Sequence, residues 1–443
     1  MSATPARRCA YAVVRRVFEH GAYADRAFRA EAERAGLDRR DRAFAMRLAY
    51  GAVQMMMTLD WLLEAFVSRP LDELDPSVLA ALRVGLYDLL FMSGTPSRAA
   101  VSEAVELVKG ANPRGHAFVN AVLRRAAHEG ATHLAELEDS TPAGAALAHS
   151  HPGWVAERWF DELGPETARA VMRRDNEPAE SAVRANRLRV DAAAVVERLA
   201  AEGVRARADS LVPEAVVIDG PFDVHGSSLF EEGLVMPQSR GSMLVARALD
   251  PRPGERVLDL CAGPGAKTTH LAALMLGEGE VVAVERDPAR AEAIAQNAAR
   301  LGARGVRVVT GEASEPGFGE GYDRVLVDPP CSDLGTLGSR PDARWRKTPE
   351  QVEELRVLQG RIMKAGAAAV RSSGRLVYST CTISRSENDA LVQEFLGANA
   401  NFRVCDLRAW HPRLAAPAAG FLQTLPHRDG TDGFFVAALE RRE

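Results

Sequence analysis

The sequence predicts a multi-domain protein: an all-α domain over residues 1–135, a small α+β connector over 136–230 and a doubly wound α/β domain over 231–443. The length of 443 residues suits two or three domains, because one domain usually holds roughly 100–200 residues. Hydrophobic residues form 47% and charged residues 26% of the chain, a globular composition that argues against long disorder. Near residue 231 the hydrophobic pattern changes from helical spacing to short apolar runs, which marks the start of the α/β domain.

The N-terminal part of the chain shows helical spacing from residue 7 to residue 130. Val13 and Val17 repeat on one helical face. The pair Asp75-Pro76 is typical of a helix start, because proline is tolerated in the first helical turn. No strand pattern interrupts this stretch, so we expect a compact all-α domain.

Short strands and helices alternate in the rest of the chain. In the connector, strands are predicted at 181–186 and 215–218 around a helix at 191–202. In the α/β domain, strands are predicted at 256–260, 281–284, 306–309, 324–327, 375–378 and 434–437. Helices are expected near 266–276, 287–301, 350–371 and 386–397. Strands this apolar are buried on both faces, which indicates a parallel sheet that binds ligands beyond the carboxyl ends of its strands.

The turn after the first strand of this sheet combines glycines with a following helix, so backbone N–H groups can approach a ligand. Acidic residues end four consecutive strands, where one of them can accept the hydroxyls of a ribose: Asp259, Glu285, Glu312 and Asp328. This edge lacks the basic cluster that a pyrophosphate needs, so we expect S-adenosylmethionine, which carries a ribose and cationic groups. The turn comprises Cys261, Ala262, Gly263, Pro264, Gly265, Ala266 and Lys267.

Two cysteines follow the next two strands of the sheet, Cys331 within DPPCS and Cys381 within STCT. Those strands are usually neighbours in this fold, so we expect both thiols to face one crevice. A thiolate that bonds to C6 of a pyrimidine enables C5 to attack a methyl sulfonium. A carboxyl group stabilises the developing charge, and a further group helps to remove the C5 proton. Asp328, Cys331 and Cys381 are candidates for these roles, and their spacing leaves open which cysteine is the nucleophile.

Several motifs of the chain together carry a family resemblance. They are LDLCAGPGAKT at 258–268, DPPCS at 328–332, RPDARW at 340–345, VYSTCT at 377–382 followed by EN at 387–388, and DGFF at 432–435. On these motifs the chain resembles the bacterial ribosomal RNA small subunit methyltransferase B family, which makes 5-methylcytosine in RNA. The resemblance extends over nearly the whole chain and implies a Rossmann-like methyltransferase domain.

The resemblance also implies roles for individual residues. It assigns the nucleophile to Cys381 and the release of the methylated base to Cys331. Cofactor contacts are implied at residues 261–267, Glu285, Glu312 and Asp328. Two departures from the family pattern fall in the cofactor turn, where Gly263 stands in place of a common alanine and Ala266 replaces the second glycine.

The N-terminal all-α domain resembles the NusB antitermination factor in segments 39–42, 50–51, 85–90 and 118–124. In that relative the fold binds RNA, so the resemblance implies that this domain holds small-subunit ribosomal RNA before the ribosome is complete. Basic side chains in the loop after Cys331 are hypothesised to grip RNA phosphates. These side chains are Arg340, Arg344, Arg346 and Lys347.

Two other functions are weighed against methylation. One is a methylation-inactive RNA-binding, ribosome-assembly or antitermination factor, against which the presence of both thiols argues. The other is a nucleotide-dependent oxidoreductase, against which the missing GxGxxG motif argues. A net charge of −5 does not by itself indicate a nucleic-acid partner.

Cysteine usage and hydropathy exclude further classes. The five cysteines are scattered and form no CxxC pair, so we expect no disulfide framework, no structural zinc and no bound metal. No apolar run approaches the roughly 20 residues of a membrane helix, and the N-terminus is too polar for a secretory signal. These features predict a cytoplasmic protein without membrane contact, and they identify no protein partner.

Overall fold

The computed structural model describes residues 3–220, 222–315, 317–414, 416 and 420–443. These residues divide into two compact units. The first unit extends to Pro178 and includes Leu337–Arg346, and the second comprises Ala179–Thr336 and Lys347–Glu443. The predicted connector contributes residues to both units, and the domain boundaries at 135 and 230 stay predictions.

The first unit is helical, as predicted. Its helices are α1 (Pro5–His20), α2 (Ala24–Arg34), α3 (Arg39–Gln54), α4 (Met56–Phe66), α5 (Pro76–Leu90), α6 (Ser97–Lys109), α7 (His116–Ala135), α8 (Pro142–Ala148), α9 (Gly153–Leu163) and α10 (Pro165–Arg174). Local sequence signals set the helix ends. The Asp75 carboxylate accepts a hydrogen bond from the Ser77 N–H at the start of α5, with Pro76 in the first turn, and this confirms the predicted start.

Close packing of three of these helices depends on glycine. A Cβ atom at Gly51 of α3 would overlap the ring of Tyr87 on α5, and one at Gly85 of α5 would press on Leu123 of α7. Tyr87 and Leu123 are almost completely buried in the hydrophobic core of the unit. A larger residue at either glycine would therefore push these helices apart.

The segment Leu337–Arg346 is held in the first unit by its own polar side chains. Arg344 is fully buried and donates hydrogen bonds to the Ser150 carbonyl and the Asn176 side chain, each at 2.9 Å. Burial lowers the pKa of Arg344 to about 10. Trp345 donates from Nε1 to the Val53 carbonyl at 2.8 Å. The hypothesis that Arg344 grips phosphate is therefore wrong, because its guanidinium is committed to internal acceptors.

The second unit begins with a small antiparallel sheet in the strand order β2-β3-β1-β4. Its elements are β1 (Ser181–Ala185), α11 (Ala192–Ala201), β2 (Ala206–Ala208), β3 (Ala215–Ile218), α12 (Ser228–Glu231) and β4 (Val235–Pro237). Val183, Val195 and Val216 form part of its core. The predicted strands and the helix of the connector are confirmed, whereas β2 and β4 are too short to show a hydrophobic pattern.

A larger sheet follows, with helices along the chain between its strands. The elements are α13 (Arg240–Leu249), β5 (Arg256–Leu260), α14 (Ala266–Leu274), β6 (Glu280–Glu285), α15 (Pro288–Leu301), β7 (Val306–Thr310), β8 (Tyr322–Val327), α16 (Pro349–Ala369), β9 (Val370–Thr380), α17 (Asp389–Ala398), β10 (Phe402–Cys405), β11 (Leu422–Gln423), α18 (Pro426–Asp429) and β12 (Phe435–Arg441). Apolar runs such as Val257–Leu260 are buried, which explains why these segments form interior strands.

The larger sheet is mixed rather than wholly parallel. Its order is β10-β12-β9-β8-β5-β6-β7, and β11 pairs with β12. The five strands β9, β8, β5, β6 and β7, in their order across the sheet, pair in parallel, as predicted. The last strand, β12, lies between β9 and β10 and runs antiparallel to both of them. Among the described residues, no helix has both the length and the apolar character to cross a membrane.

Candidate active site

The predicted cofactor turn connects β5 to α14 at the carboxyl end of the sheet. Cys261 and Gly265 both have left-handed backbone conformations, with φ of 67° and 98°. A Cβ atom at Gly265 would lie 3.1 Å from Cα of Ile294 on α15. Glycine at this position therefore allows both the turn and the close approach of α15, and it leaves the N-terminus of α14 facing the edge of the sheet.

Glu285, the last residue of β6, lies against this turn. Its carboxylate accepts hydrogen bonds from the backbone N–H groups of Gly263 and Asp287, each at 3.0 Å. A Cβ atom at Gly263 would overlap the Glu285 carboxylate. The departure from alanine at Gly263 therefore lets the acidic side chain approach the turn.

All four strand-end carboxylates that the sequence predicted act electrostatically on one group at this edge, the thiol of Cys261. Burial raises the pKa of the Cys261 thiol well above its usual range, and the carboxylates of Asp328, Asp259, Glu285 and Glu312 raise it further. A thiol in this setting stays protonated. Cys261 therefore shapes the turn through its backbone and is not a candidate nucleophile.

Asp259 carries an orphaned polar atom at the same edge. Its side chain is buried, and Oδ2 accepts a hydrogen bond from the Thr268 hydroxyl at 2.6 Å. The other oxygen, Oδ1, has no hydrogen-bond partner among the described residues. Burial raises the pKa of Asp259 to about 7, with the Thr268 hydrogen bond opposing this shift. The sequence predicted Asp259 as an acidic residue at a strand end, but only the structure shows that its buried Oδ1 has no hydrogen-bond donor among the described residues.

We expect Asp259→Asn to change how stability depends on pH. The folded pKa of about 7 exceeds the unfolded value of roughly 3.9, so the folded state binds more protons between these values. Stability therefore falls as pH rises through this window, by roughly 2–3 kcal/mol between pH 5 and pH 8. The asparagine variant should lack this contribution. Urea unfolding at both pH values measures it, and an identical pH dependence in both proteins would contradict the assignment.

Lys267 joins the cofactor turn to the residue after β8. Its ammonium lies 2.7 Å from Oδ2 of Asp328, and the Ser379 hydroxyl donates to Oδ1 of Asp328 at 2.7 Å. Burial alone would lower the pKa of Lys267, but the Asp328 carboxylate and the Cys381 sulfur outweigh it and raise the pKa. Lys267 therefore remains a cation beside Asp328. The sequence assigned Lys267 to the cofactor, and the structure adds this ion pair.

The structure brings the two predicted cysteines together. The Sγ atoms of Cys331 and Cys381 lie 3.1 Å apart although they are 50 positions apart in the sequence, and they do not form a disulfide. The reason is the strand order, because β8 and β9 are parallel neighbours whose carboxyl ends meet. Cys331 is buried and Cys381 is partly exposed. The expected meeting of the two thiols is therefore present.

Asp333 also contacts Cys381, a contact that the sequence did not predict. The Cys381 thiol donates to Oδ1 of Asp333 at 3.1 Å. Asp333 has a φ of 63°, in the left-handed region that residues other than glycine rarely adopt. The sequence carries no signal for this contact beyond the position of Asp333 two residues after Cys331. Cys331, Asp333 and Cys381 also form a set of potential metal ligands, with donor atoms within 4.8 Å of one another.

A buried hydrogen-bond network fixes the two cysteine-bearing loops to each other. The fully buried Glu387 accepts from the backbone N–H of Ser332 and from Nε2 of Gln359, each at 2.9 Å. The Ser332 hydroxyl lies 2.5 Å from Oε2 of Glu387 and 2.8 Å from Oγ1 of Thr382. The residues next to Cys331 and Cys381 are therefore linked directly, which limits their relative movement.

We expect Glu387→Ala to destabilise this network strongly. The substitution leaves the Ser332 N–H, the Ser332 hydroxyl and the Gln359 amide without their shared acceptor. The Ser332 hydroxyl keeps Thr382 and the Gln359 amide keeps the Pro330 carbonyl as partners, so the main cost is the unsatisfied Ser332 N–H. An unsatisfied buried group costs about 1–3 kcal/mol, and we expect a loss of about 2–3 kcal/mol in urea unfolding. Glu394→Ala on the exposed face of α17 is the control, with an expected effect within about 0.5 kcal/mol. Equal losses of unfolding free energy in the two variants would show that the network does not stabilise the protein.

Family models match the chain in three consecutive regions. Residues 4–128 match the NusB family, residues 151–225 match the ferredoxin-like domain of RsmF/B-like methyltransferases, and residues 246–440 match the 16S rRNA methyltransferase RsmB/F family. The last region contains both cysteines, Asp328 and the cofactor turn. The NusB and methyltransferase matches agree with the helical unit and the mixed sheet described above.

Similar proteins cover the chain along most of its length. A probable ribosomal RNA small subunit methyltransferase B of Bacillus subtilis (strain 168) is 34% identical, with 100% of both chains covered. The ribosomal RNA small subunit methyltransferase B of Escherichia coli O6:K15:H31 (strain 536 / UPEC) is 31% identical over 91% of each chain. The crystal structure of PH0851 is 28% identical, covers 100% of both chains and has a TM-score of 0.86. With full-length similarity of this kind and a matching catalytic-domain model, the chain belongs to the ribosomal RNA small subunit methyltransferase B family.

Proposed function

We propose that this protein transfers a methyl group from S-adenosylmethionine to C5 of a cytosine in 16S ribosomal RNA through a covalent bond between Cys381 and C6. The observation that carries the proposal is the meeting of two cysteine thiols 3.1 Å apart, beside a carboxylate–ammonium pair at the cofactor edge. A pyrimidine methyltransferase needs a thiol nucleophile, a charge-stabilising group and a group that assists release within one crevice. A methylation-inactive RNA-binding factor would need none of these.

The residues at the cofactor edge fit S-adenosylmethionine. The orphaned oxygen of Asp259 suits a ligand that brings positive charge or hydrogen-bond donors. Glu285 can exchange its backbone donors for ribose hydroxyls, and the turn from Cys261 to Lys267 leaves backbone N–H groups at the start of α14. Glu312 completes the acidic edge. When bound, S-adenosylmethionine supplies an electrophilic methyl group.

Cys381 is the better candidate for the nucleophile. It is partly exposed and is an electrostatic partner of the Lys267 ammonium, whereas Cys331 is buried. A neighbouring cation stabilises a thiolate, and the thiolate is the reactive form. The resemblance to the family assigns the same residue. Cys331 then lies close enough to act when the bond to Cys381 breaks.

The chemistry proceeds through the ring of the target cytosine. The Cys381 thiolate forms a bond to C6, and the electron pair of the C5–C6 double bond becomes available at C5. C5 then takes the methyl group as the bond between the methyl group and the sulfonium breaks, which leaves S-adenosylhomocysteine. Asp328, held by Lys267 and Ser379, stabilises the charge that develops on the ring. A base then removes the C5 proton, the C5–C6 double bond reforms, and the Cys381–C6 bond breaks to restore the thiolate. We assign assistance in this last step to Cys331.

The helical unit is proposed to hold the RNA before the small subunit is fully assembled. Its match to the NusB family supports this role, and RNA bases are read most readily when they are splayed out of their stack. The target cytosine is therefore expected to be flipped into the crevice that contains the thiols. The cytoplasmic location predicted from the sequence is part of the same proposal.

A methylation assay with product identification tests this function. The full chain is incubated with S-adenosylmethionine carrying a tritiated methyl group and with deproteinised small-subunit RNA, which is then digested to nucleosides. We expect the label in 5-methylcytidine alone. Label in any other nucleoside, or none in RNA under conditions in which the protein binds the methyl donor, would overturn the proposal.

A further inference from the structure

Cys331, Asp333 and Cys381 bring three potential ligand atoms together from two different loops. The two Sγ atoms are 3.1 Å apart, and Oδ1 of Asp333 lies 3.1 Å from Sγ of Cys381. All three atoms lie within 4.8 Å of one another. The sequence predicted no metal because it contains no CxxC pair, but that rule considers only cysteines that are close along the chain.

The donor set determines which cation fits. Two thiols and one carboxylate suit Zn²⁺ and similar thiophilic divalent ions, whereas Mg²⁺ and Ca²⁺ prefer ligand sets made of oxygen. In a tetrahedral site with Zn–S bonds of about 2.3 Å the two sulfurs would stand about 3.8 Å apart. The present separation of 3.1 Å is shorter by about 0.7 Å, a change that small side-chain rotations can supply.

The loop that carries Asp333 is held in place independently of any ligand. The Asp333 carbonyl accepts from the N–H and the hydroxyl of Thr336, each at 2.9 Å. The Gly335 N–H donates to the Cys381 carbonyl at 3.0 Å, which ties this loop to the end of β9. The left-handed φ of Asp333 is therefore maintained by the loop, and its carboxylate is directed at the Cys381 sulfur.

We propose that Cys331, Cys381 and Asp333 form an inhibitory binding site for a thiophilic divalent cation of the Zn²⁺ class. On binding, both thiols lose their protons to solvent, and the cation gains two bonds to sulfur and one to a carboxylate oxygen. The resulting group has a net charge of −1 and lies near the Lys267–Asp328 ion pair. The inhibition rests on the proposed function, because the cation occupies the sulfur that must bond to C6.

Binding is tested with Co²⁺, whose bonds to thiolate give charge-transfer absorption. The reduced, metal-free full chain is titrated with Co²⁺ alone and then with Zn²⁺ as competitor. We expect one Co²⁺ per chain with thiolate absorption, which Cys331→Ser removes or reduces by half. Asp333→Gly retains the left-handed backbone and should weaken the affinity at least about 10-fold, the lower limit for loss of even an outer-shell partner. Asp333→Asn should do the same.

The control is Cys405→Ser, since Cys405 is a free thiol on β10 outside this cluster. It should leave the affinity and the absorption unchanged. Binding without thiolate absorption, or absorption that Cys405→Ser removes and Cys331→Ser does not, would overturn the metal site. Circular dichroism of each variant identifies any loss of affinity that arises from unfolding.

Methyl transfer is measured in the same preparations. Zn²⁺ should inhibit at the concentration that fills the site, and a chelator should restore the rate. Co²⁺ absorption that depends on both cysteines, in a protein that never methylates cytosine, would support the metal site and refute the proposed function. Full methyl transfer at saturating Zn²⁺ would refute the inhibitory role and leave the proposed function intact.

Discussion

Replacing Cys381 with alanine is expected to reduce the rate of methyl transfer by at least about 10³-fold. The reason is that loss of the proposed covalent nucleophile abolishes the whole reaction pathway, whereas loss of a binding contact would only weaken it. Without a thiolate at C6, C5 of cytosine remains a poor nucleophile. The Lys267–Asp328 ion pair and the cofactor turn remain in this variant, so binding of S-adenosylmethionine should persist. Initial rates with tritiated methyl donor, together with equilibrium binding of the donor, separate these effects.

Replacing Cys331 with alanine should produce a different defect. In the proposed mechanism Cys381 can still bond to C6 but release slows, so the protein should accumulate an adduct with RNA that survives denaturing electrophoresis. The 3.1 Å between the two sulfurs is the structural reason to expect such a division of work. Cys405→Ala, which changes a thiol outside the crevice, should behave as the unmodified protein. An adduct in Cys381→Ala and none in Cys331→Ala would reverse the two roles.

The second large effect is expected for substitution of Arg184, a residue of β1 in the small sheet that hydrogen-bonds to the cofactor turn and the start of α14. Its guanidinium is buried and donates to the Ala266 carbonyl at 2.5 Å and to the Thr269 hydroxyl at 2.9 Å. It also donates to Oε1 of Gln238 at 2.5 Å. Burial lowers the pKa of Arg184 to about 9, with the carboxylate of Glu214 opposing the shift. Arg184 is thus a buried cation that hydrogen-bonds mostly to neutral acceptors around the start of α14.

Arg184→Ala should therefore weaken both the fold and the cofactor site. The Ala266 and Gln238 acceptors lose their donor at about 1–3 kcal/mol each, and the removed side chain leaves a cavity, so we expect a loss of roughly 3–5 kcal/mol. Because Ala266 begins α14, the cofactor turn should shift. The KM for S-adenosylmethionine should rise more than kcat falls, since Arg184 acts through the turn and not on the reacting atoms.

Two further variants make the Arg184 prediction specific. Arg184→Lys keeps the charge but lacks the planar fork that reaches three acceptors, so it should recover only part of the stability. Arg207→Ala, at an exposed position of the edge strand β2 of the same sheet, should change stability by less than about 0.5 kcal/mol. Equal losses for Arg184→Ala and Arg207→Ala in urea unfolding would show that the contacts to Ala266 and Thr269 carry little energy.

The sequence was sufficient to predict most elements of the larger sheet. The strand from Arg256 to Leu260 is a short apolar run between a turn and a glycine-rich segment, and this pattern is local, so it can be identified before folding. The prediction was less complete at the sheet edge, where β12 joins antiparallel to β9. Strand direction depends on where the chain re-enters the sheet, and hydropathy does not encode it.

Arg344 shows the same limit for side chains. In the sequence it stands among basic residues in the loop after Cys331, where a phosphate contact is a reasonable hypothesis. In the structure it is fully buried and bonds to internal acceptors, because the segment Leu337–Arg346 packs in the helical unit. A charged residue type by itself predicts a solvent-exposed side chain. A structural role becomes visible only when the surroundings of the side chain are known.

By itself the sequence determined the element pattern, the family and the residue types available for chemistry, because apolar periodicity and turn residues act over a few positions. Only the tertiary structure decided which of these residues meet. The parallel pairing of β8 and β9 places Cys331 against Cys381 across 50 positions, and the loop after β8 directs Asp333 at the same sulfur. Distances between loops depend on strand order and backbone conformation, which are properties of the whole sheet and not of any segment within it.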